Sequence, residues 1–300
     1  MSRSPSPHPR PRAGLPRGAA VALAAGAMVA GVAGVSLGAA ADRPRVAVRA
    51  VAVAAPASSG SVLARARMEA PARYRAARAA GARIAATPDR RSFYVMSPAR
   101  ARGGKAIVTF HGYLSTAFDG FAQFRAEAAR RGHTLIAIHW RLGRTSRESY
   151  TPAQMYAQTR ALLRRAGVAP GDALLHGYSS AAARIYGVAA LDRRASRLFA
   201  LSIGDAGGAR PGLPMYREVF GGRMGPRPLA GSRWVLFCGG RDPDPRLTGC
   251  PVMRRTATLI RRRGGRIERF IVDPRASHGG FHEHPANQRA ALDVFARLSP

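Results

Sequence analysis

The chain has 300 residues, which is enough for one domain of ordinary size plus terminal tails. Its 48 Lys and Arg residues outnumber its 16 Asp and Glu residues, so the formal net charge is +32. The basic residues are scattered and no segment resembles a nucleic-acid-binding module, which argues against specific nucleic-acid binding. The charge instead predicts attraction to anionic surfaces, polymers or substrates.

The N-terminus has the layout of an export signal. Residues 1–18 are polar, proline-rich and basic, whereas residues 19–41 carry no charge and are apolar or small. An alanine triplet at 39–41 offers a small-residue cleavage site, so residues 1–41 are predicted to be a secretory signal peptide of a periplasmic or secreted protein. An uncleaved membrane anchor is the alternative, because the apolar stretch is long enough to cross a bilayer.

Residues 42–91 are predicted to be a linker followed by an Arg-rich helical segment. The stretch 45–61 is rich in Val and Ala and ends in Pro, Ser and Gly, a composition typical of linkers. The stretch 62–86 is helix-like but crowded with arginine, which predicts a surface helix or helix pair. The main domain is expected to span residues 92–300.

From residue 92 onward, short apolar runs alternate with amphipathic stretches. Near-continuous apolar runs are typical of parallel strands covered on both faces. We therefore predict an α/β fold with a mostly parallel central sheet and helices on both faces. The predicted strands are 92–96, 106–110, 134–140, 173–176, 197–203, 233–238 and 266–272, and the predicted helices are 116–131, 151–166, 180–194, 252–263 and 285–298.

Residues 177–181, Gly-Tyr-Ser-Ser-Ala, join a predicted strand to a predicted helix and approximate Gly-x-Ser-x-Gly. In a strand-to-helix elbow of this kind, the central serine lies on a strained turn with its hydroxyl projecting. Small residues are needed two positions before and after it, because the two backbones nearly collide there. Ser180 lacks a glycine two residues upstream, so Ser179 is the predicted nucleophile.

A serine nucleophile needs a histidine base, and the histidine needs a carboxylate to orient it. In open parallel sheets such groups gather at the carboxyl ends of the strands. Asp242 follows one predicted strand and His278 follows the next, which makes them the preferred acid and base. The alternative acids are Asp244 and then Asp205. His282 and His284 are the alternative bases.

Four motifs at strand ends give the chain from about residue 92 a resemblance to the α/β-hydrolase fold superfamily. Secreted esterases and depolymerase-like enzymes are the members that it resembles in general terms. The motifs are His-Gly-Tyr at 111–113, the elbow at 177–181, Gly-Gly-Arg-Asp at 239–242 and Ser-His-Gly at 277–279.

The resemblance implies a role for each residue of the site. Ser179 would attack an acyl carbonyl, His278 would take its proton, and Asp242 would fix the histidine tautomer. The backbone N–H groups of Tyr113 and Ser180 would form the oxyanion hole. The histidine of the first motif is expected to hold its own loop rather than to react.

Cys238 and Cys250 are the two cysteines of the chain. Because an exported protein meets oxidising conditions, we predict that they form a disulfide, which would hold the loop that carries Asp242. Two separate buried thiols are the alternative.

These features predict an exported serine hydrolase that cleaves small-molecule or polymer esters through an acyl-enzyme. The segment 204–232 is too short for a large helical lid, which predicts a fairly open pocket. No cofactor is expected, and no metal, because residues 282–284, His-Glu-His, alternate on an extended segment without a third ligand. The alternatives are a serine peptidase or amidase with the same triad, or a non-catalytic surface protein that binds anionic polymers.

Overall fold

The structure is a computed structural model that describes residues 58–97, 104–145 and 147–298. The predicted signal peptide or anchor, residues 1–41, lies outside the described residues. In the described part of the chain, no helix combines the length and the apolar character needed to cross a membrane.

Eight strands of the described residues form one sheet. They are β1 (Arg83–Ala86), β2 (Phe93–Met96), β3 (Ala106–Phe110), β4 (Thr134–Ile138), β5 (Ala173–Tyr178), β6 (Phe199–Asp205), β7 (Arg233–Gly239) and β8 (Arg266–Asp273). Their order across the sheet is β1-β2-β4-β3-β5-β6-β7-β8. From β4 to β8 every neighbouring pair is parallel, whereas β1 and β2 form an antiparallel edge.

Helices cover both faces of this sheet, as predicted. They are α1 (Ser59–Glu69), α2 (Pro71–Ala79), α3 (Ala117–Arg130), α4 (Pro152–Arg165), α5 (Ala182–Arg194), α6 (Tyr216–Val219), α7 (Cys250–Arg262), α8 (Gly280–Glu283) and α9 (Pro285–Leu298). Helices α1, α2, α3 and α9 contribute to one buried core, and α4, α5 and α7 contribute to the other.

The strands feed both cores because successive side chains point to opposite faces. In β3, Val108 and Phe110 belong to the core under α4 and α5, while Ile107 belongs to the core under α3 and α9. Except for the edge strands β1 and β8, which are only partly buried, each strand is therefore apolar on both sides. This is the physical reason that the sequence shows continuous apolar runs rather than alternation.

The prediction of helix over residues 62–86 is wrong at its C-terminal end. The structure has the predicted helix pair, but α2 ends at Ala79, and Gly81 adopts a positive φ of 70° that stops helical continuation. Residues 83–86 then form β1, which pairs with β2. The predicted domain boundary at residue 92 falls between these two strands, because the alanines of β1 continue the helix-like composition that precedes it.

The parallel strands bring their carboxyl ends to one edge of the sheet. The segments that leave this edge are residues 111–113 after β3, Ser179 after β5, residues 206–208 after β6, residues 240–242 after β7 and residues 274–278 after β8. Residues far apart in sequence therefore meet there.

Candidate active site

Ser179 lies on the sharp turn between β5 and α5. Its backbone φ is +57°, in the left-handed region, which costs a non-glycine residue about 1–2 kcal/mol. The Ser179 N–H donates to the carbonyl of Asp205 at 2.8 Å, which ties the turn to the end of β6. A Cβ on Gly177 would lie 2.9 Å from the backbones of Ala181 and Ala182, so the glycine is required by the close approach of strand and helix.

A continuous chain of hydrogen bonds joins Ser179, His278 and Asp242. Ser179 Oγ lies 2.9 Å from His278 Nε2, and His278 Nδ1 lies 2.8 Å from Asp242 Oδ2. A carboxylate can only accept, so Nδ1 carries the proton and Nε2 is left to accept from the serine hydroxyl. The Asp242 side chain is 1% exposed and that of His278 is 28% exposed, so the imidazole is reachable from solvent while the carboxylate is shielded.

Asp242 is held by its own loop. Its Oδ1 accepts from the Thr248 hydroxyl at 2.7 Å and from the Asp244 N–H at 2.9 Å. Asp244, the first alternative acid, instead accepts from the N–H groups of Arg246 and Leu247 and stabilises a turn. Sequence reasoning did not find Thr248, because a threonine six residues after the acid carries no recognisable signal.

The loops that carry the acid and the histidine are joined backbone to backbone. The Gly240 N–H donates to the Asp273 carbonyl at 2.8 Å, and the Arg241 N–H donates to the Ala276 carbonyl at 2.9 Å. A Cβ on Gly239 would lie 2.2 Å from the carbonyl oxygen of Ser277, so only glycine fits at this position. Main-chain contacts between the two loops, rather than flexible side chains, therefore set the spacing between Asp242 and His278.

The predicted disulfide is present between Cys238, near the end of β7, and Cys250, the first residue of α7. Their Cα atoms are 5.0 Å apart and the bridge closes a loop with a sequence separation of 12. Asp242 lies inside this loop. The bridge therefore fixes both ends of the segment that presents the carboxylate.

The proposed oxyanion donors, Tyr113 and Ser180, both line one cavity. Within the described residues, neither backbone N–H has an acceptor, so both are free to bind an oxygen. The Ser180 N–H precedes the first turn of α5, where the helix dipole also favours negative charge. The Tyr113 backbone is held by Arg141, which donates to its carbonyl and lies over its ring at 4.8 Å.

His111 has a structural role, as the sequence predicts. Its Nδ1–H donates to the Gly112 carbonyl at 2.7 Å, and its own carbonyl accepts from the Trp140 indole at 2.7 Å. Burial lowers the pKa of His111 to about 3, so the ring is neutral at ordinary pH. These contacts hold the loop that presents Tyr113.

A second cluster of histidine and aspartate lies buried near the elbow. Asp205 Oδ2 is 3.4 Å from His176 Nε2 and 3.0 Å from His282 Nε2. The side chains of His176 and Asp205 are fully buried, and that of His282 is 7% exposed. The contact between His282 Nε2 and Asp205 does not have hydrogen-bond geometry. Asp205 Oδ1 has no hydrogen-bond partner among the described residues.

The two fully buried members of this cluster differ in charge. Burial lowers the pKa of His176 to about 4, although Asp205 opposes that effect. Burial raises the pKa of Asp205, but the contacts from His176 and His282 outweigh it and hold the pKa below its ordinary value. The cluster therefore contains an ionised carboxylate and a neutral His176 at pH 7.

Sequence reasoning missed this cluster and the ligand set that it forms. The donor atoms of His176, Asp205 and His282 all lie within 4.8 Å of one another, a combination of ligand types that can bind a metal ion. The expectation that His282 lacks further metal ligands was based on its neighbours in sequence. The other two candidate ligands come instead from β5 and β6. His284 contacts Asp273 instead, at 2.6 Å. The side chains of Asp205 and His282, two of the alternative triad members, thus contact each other, and Asp205 meets Ser179 only through its backbone carbonyl.

No protein-family model and no curated protein matches this chain. Solved structures of esterases do match it in shape. The esterase LipW from Mycobacterium marinum is 18% identical, with a TM-score of 0.53, over 80% of this chain and 90% of that chain. The thermophilic carboxylesterase EstE1, cloned from a metagenomic library, is 17% identical, with a TM-score of 0.55, over 79% of this chain and 98% of that chain.

A third match is the hyperthermophilic esterase from the archaeon Pyrobaculum calidifontis, which is 13% identical, with a TM-score of 0.52, over 79% of this chain and 92% of that chain. At these identities the likeness concerns the fold. Together with the strand order, it shows that the chain has the α/β-hydrolase fold that its motifs predict.

Proposed function

We propose that the protein is an exported serine hydrolase that cleaves carboxylic esters, of small molecules or of polymers, with Ser179 as nucleophile, His278 as base and Asp242 as the orienting acid. The observation that carries this proposal is the hydrogen-bonded chain from Ser179 Oγ through His278 to Asp242, with distances of 2.9 and 2.8 Å. Nucleophile, base and orienting group within hydrogen-bond reach are the requirement for nucleophilic catalysis by serine.

In the first half of the reaction, Ser179 Oγ bonds to the ester carbonyl carbon while His278 Nε2 takes the hydroxyl proton. The carbonyl oxygen becomes an oxyanion that accepts from the N–H groups of Ser180 and Tyr113, each worth about 3 kcal/mol of barrier in comparable sites. The bond from carbon to the alcohol oxygen then breaks. His278 donates the proton to that oxygen, so the alcohol leaves and an acyl-enzyme remains.

In the second half, water replaces the alcohol. His278 Nε2 takes a proton from water as its oxygen bonds to the acyl carbon, and the bond from carbon to Ser179 Oγ breaks. The proton returns to Ser179 and the carboxylic acid is released. Asp242 stays ionised throughout and stabilises the imidazolium form of His278.

Three further observations support the proposal. Solved structures described as esterases share the fold, which favours esters over amides. Between residues 206 and 232, all of which the structure describes, the only helix is the four-residue α6, so this segment forms no large helical lid. The disulfide between Cys238 and Cys250 supports an oxidising compartment.

Labelling with a fluorophosphonate probe tests the nucleophile. We expect the full chain to be labelled and Ser179→Ala to lose both labelling and hydrolysis of p-nitrophenyl acetate, because the proposed nucleophilic hydroxyl is removed. Ser180→Ala is the matched control. It should still be labelled, since only the backbone N–H of that residue takes part. Labelling of Ser179→Ala but not of Ser180→Ala would contradict the assignment. Faster turnover of aminoacyl p-nitroanilides than of esters would assign a peptidase.

A further inference from the structure

A cavity of about 490 Å³ lies beside Ser180, the residue after the proposed nucleophile. Its walls include three arginines, Arg147, Arg184 and Arg210, together with Tyr113 and no aspartate or glutamate. The cavity therefore concentrates positive charge next to the site of bond cleavage. The mechanism above does not use this charge.

Arg184 is the buried member of the three. It is 8% exposed, lies over the Trp140 ring at 4.5 Å, and donates to the Ser180 carbonyl at 3.3 Å and to Ser149 Oγ at 3.4 Å. Among the described residues, no carboxylate lies within ion-pair distance of it. A buried guanidinium without a counter-ion is electrostatically unfavourable, and a bound anion would relieve that cost.

Arg210 faces the same cavity from the segment after β6. It is partly exposed and has no ion pair with any described residue. Burial and then the charge of Arg210 lower the pKa of Arg184, so the two cations are close enough to repel each other. Elsewhere the chain does pair arginines, since Arg131 contacts both Glu127 and Asp293.

The shortage of acidic residues does not by itself explain why Arg184 has no ion pair with a described residue. With 48 basic and 16 acidic residues, many arginines must lack a partner, but most can be solvated by water at the surface. Arg184 is placed where water has little access, on the first turns of the helix that follows the nucleophile. Its guanidinium is also fixed by stacking and by two hydrogen bonds. This is the geometry of a preorganised anion site.

The position of the cavity indicates which half of an ester would enter it. The leaving oxygen must face His278 to receive a proton. Neither His278 nor Asp242 lines the cavity, whereas both oxyanion residues, Tyr113 and Ser180, do. The group that extends from the carbonyl carbon away from His278 is the acyl chain.

We infer that this cavity is an acyl-chain subsite that binds a carboxylate through Arg184 and Arg210, so that the preferred substrates are half-esters of short dicarboxylic acids. The inference rests on the proposed function of Ser179. It names the acid half of the substrate, which neither the triad nor the fold determines.

Two esters of equal chain length test the inference with the full chain. Monomethyl glutarate ends in a carboxylate where methyl pentanoate ends in a methyl group, and methanol release reports both. We expect the ratio of their kcat/KM values to favour the glutarate ester. We expect Arg210→Gln and Arg184→Gln each to lower that ratio about tenfold, the size of about 1.4 kcal/mol. Glutarate should also inhibit the native enzyme competitively, and more weakly in both variants.

Arg289→Gln is the matched control, because Arg289 is an exposed residue of α9 and its loss lowers the net charge equally. It should leave the ratio unchanged. Thermal unfolding shows whether Arg184→Gln still folds, and Arg210→Gln decides the question if it does not. The subsite is overturned if the native enzyme hydrolyses the two esters with nearly equal kcat/KM, or if Arg289→Gln lowers the ratio as much as the other two variants do. In either case, labelling of Ser179 would still support the hydrolase assignment. Failure of both labelling and ester cleavage overturns the proposed function and the subsite together.

Discussion

Tyr178 contacts two clusters that are built from the same residue types. Its ring centroid lies 5.1 Å from that of His278, in the proposed triad, and 5.6 Å from that of His282, in the buried cluster. Each cluster places an imidazole nitrogen against a shielded carboxylate, Asp242 in one and Asp205 in the other. They differ in what lies on the other side of the histidine.

In the triad, His278 is 28% exposed and its second nitrogen faces a serine hydroxyl. In the buried cluster, the second nitrogen of His176 faces Thr109 Oγ1 at 2.9 Å, inside the sheet. In the proposed triad the histidine is therefore open to exchange a proton with a substrate, whereas His176 is enclosed within the sheet. The difference teaches that access and a nucleophile, rather than a histidine–aspartate pair, give a site its chemistry.

The largest expected effect separates the two carboxylates. Asp242→Asn should lower kcat about 10⁴-fold, because the amide favours the wrong histidine tautomer, with little change in stability. Asp205→Asn should lower the free energy of unfolding by about 2–3 kcal/mol, because it removes a buried charge that its histidines contact. Ester hydrolysis and urea unfolding, measured on both variants, give the comparison.

The backbone hydrogen bond between Ser179 and Asp205 should be kept in Asp205→Asn, which makes this variant a control for Asp242→Asn. The Ser179 N–H donates to the backbone carbonyl of Asp205, and an asparagine keeps that carbonyl. A loss of kcat in Asp205→Asn as large as that in Asp242→Asn would therefore show that the buried carboxylate takes part in catalysis. The distinction between the two clusters would then be wrong.

Local patterns predict much of the fold and of the triad cluster. The apolar runs mark the central strands because these strands are buried on both faces, and the sequence places Ser179, Asp242 and His278 on the segments that follow three strands. The structure joins these same residues by hydrogen bonds, and their roles remain the proposal made above. A rule about strand ends suffices here, because each residue lies on a loop at the edge of the sheet.

The buried cluster is not predictable in this way. His176 lies within β5, where it resembles any polar interruption of an apolar run, and Asp205 ends a strand whose predicted boundary is two residues short. Their contact depends on the parallel pairing of β5 with β6, and His282 enters from α8. The edge strand β1 escapes prediction for a related reason, since pairing with β2 overrides the helix propensity of its alanines.

The pH dependence of stability gives a second, smaller test. Burial lowers the pKa of His176 from its ordinary value of 6.5 to about 4, so the unfolded chain binds more protons than the folded chain between these values. This contribution is complete above pH 6.5 and is lost as the pH falls towards 4. His176→Gln should therefore reduce the slope of unfolding free energy against pH by about 1.4 kcal/mol per pH unit in that window.

Burial also lowers the pKa values of His111 and His139, and these residues contribute to the slope in the same direction in both proteins. The difference in slope between the variant and the native protein therefore isolates the contribution of His176. Urea unfolding at several pH values between 4.5 and 6.5 measures the slopes. Parallel slopes would mean that His176 is protonated in the folded chain, and the buried cluster would then carry more charge than its geometry indicates.

The smallest effect concerns the hydroxyls that support each cluster. Thr248 donates to Asp242 at 2.7 Å, and Thr109 contacts His176 at 2.9 Å. Valine replaces threonine with little change of volume, so each variant removes mainly a hydrogen bond, worth about 1 kcal/mol. Thr248→Val should lower kcat about fivefold because Asp242 loses alignment, and Thr109→Val should lower the unfolding free energy by about 1–2 kcal/mol with kcat nearly unchanged. If Thr109→Val slowed ester hydrolysis as much as Thr248→Val does, the buried cluster would be positioning the elbow, and Tyr178 would be the contact that couples it to the triad.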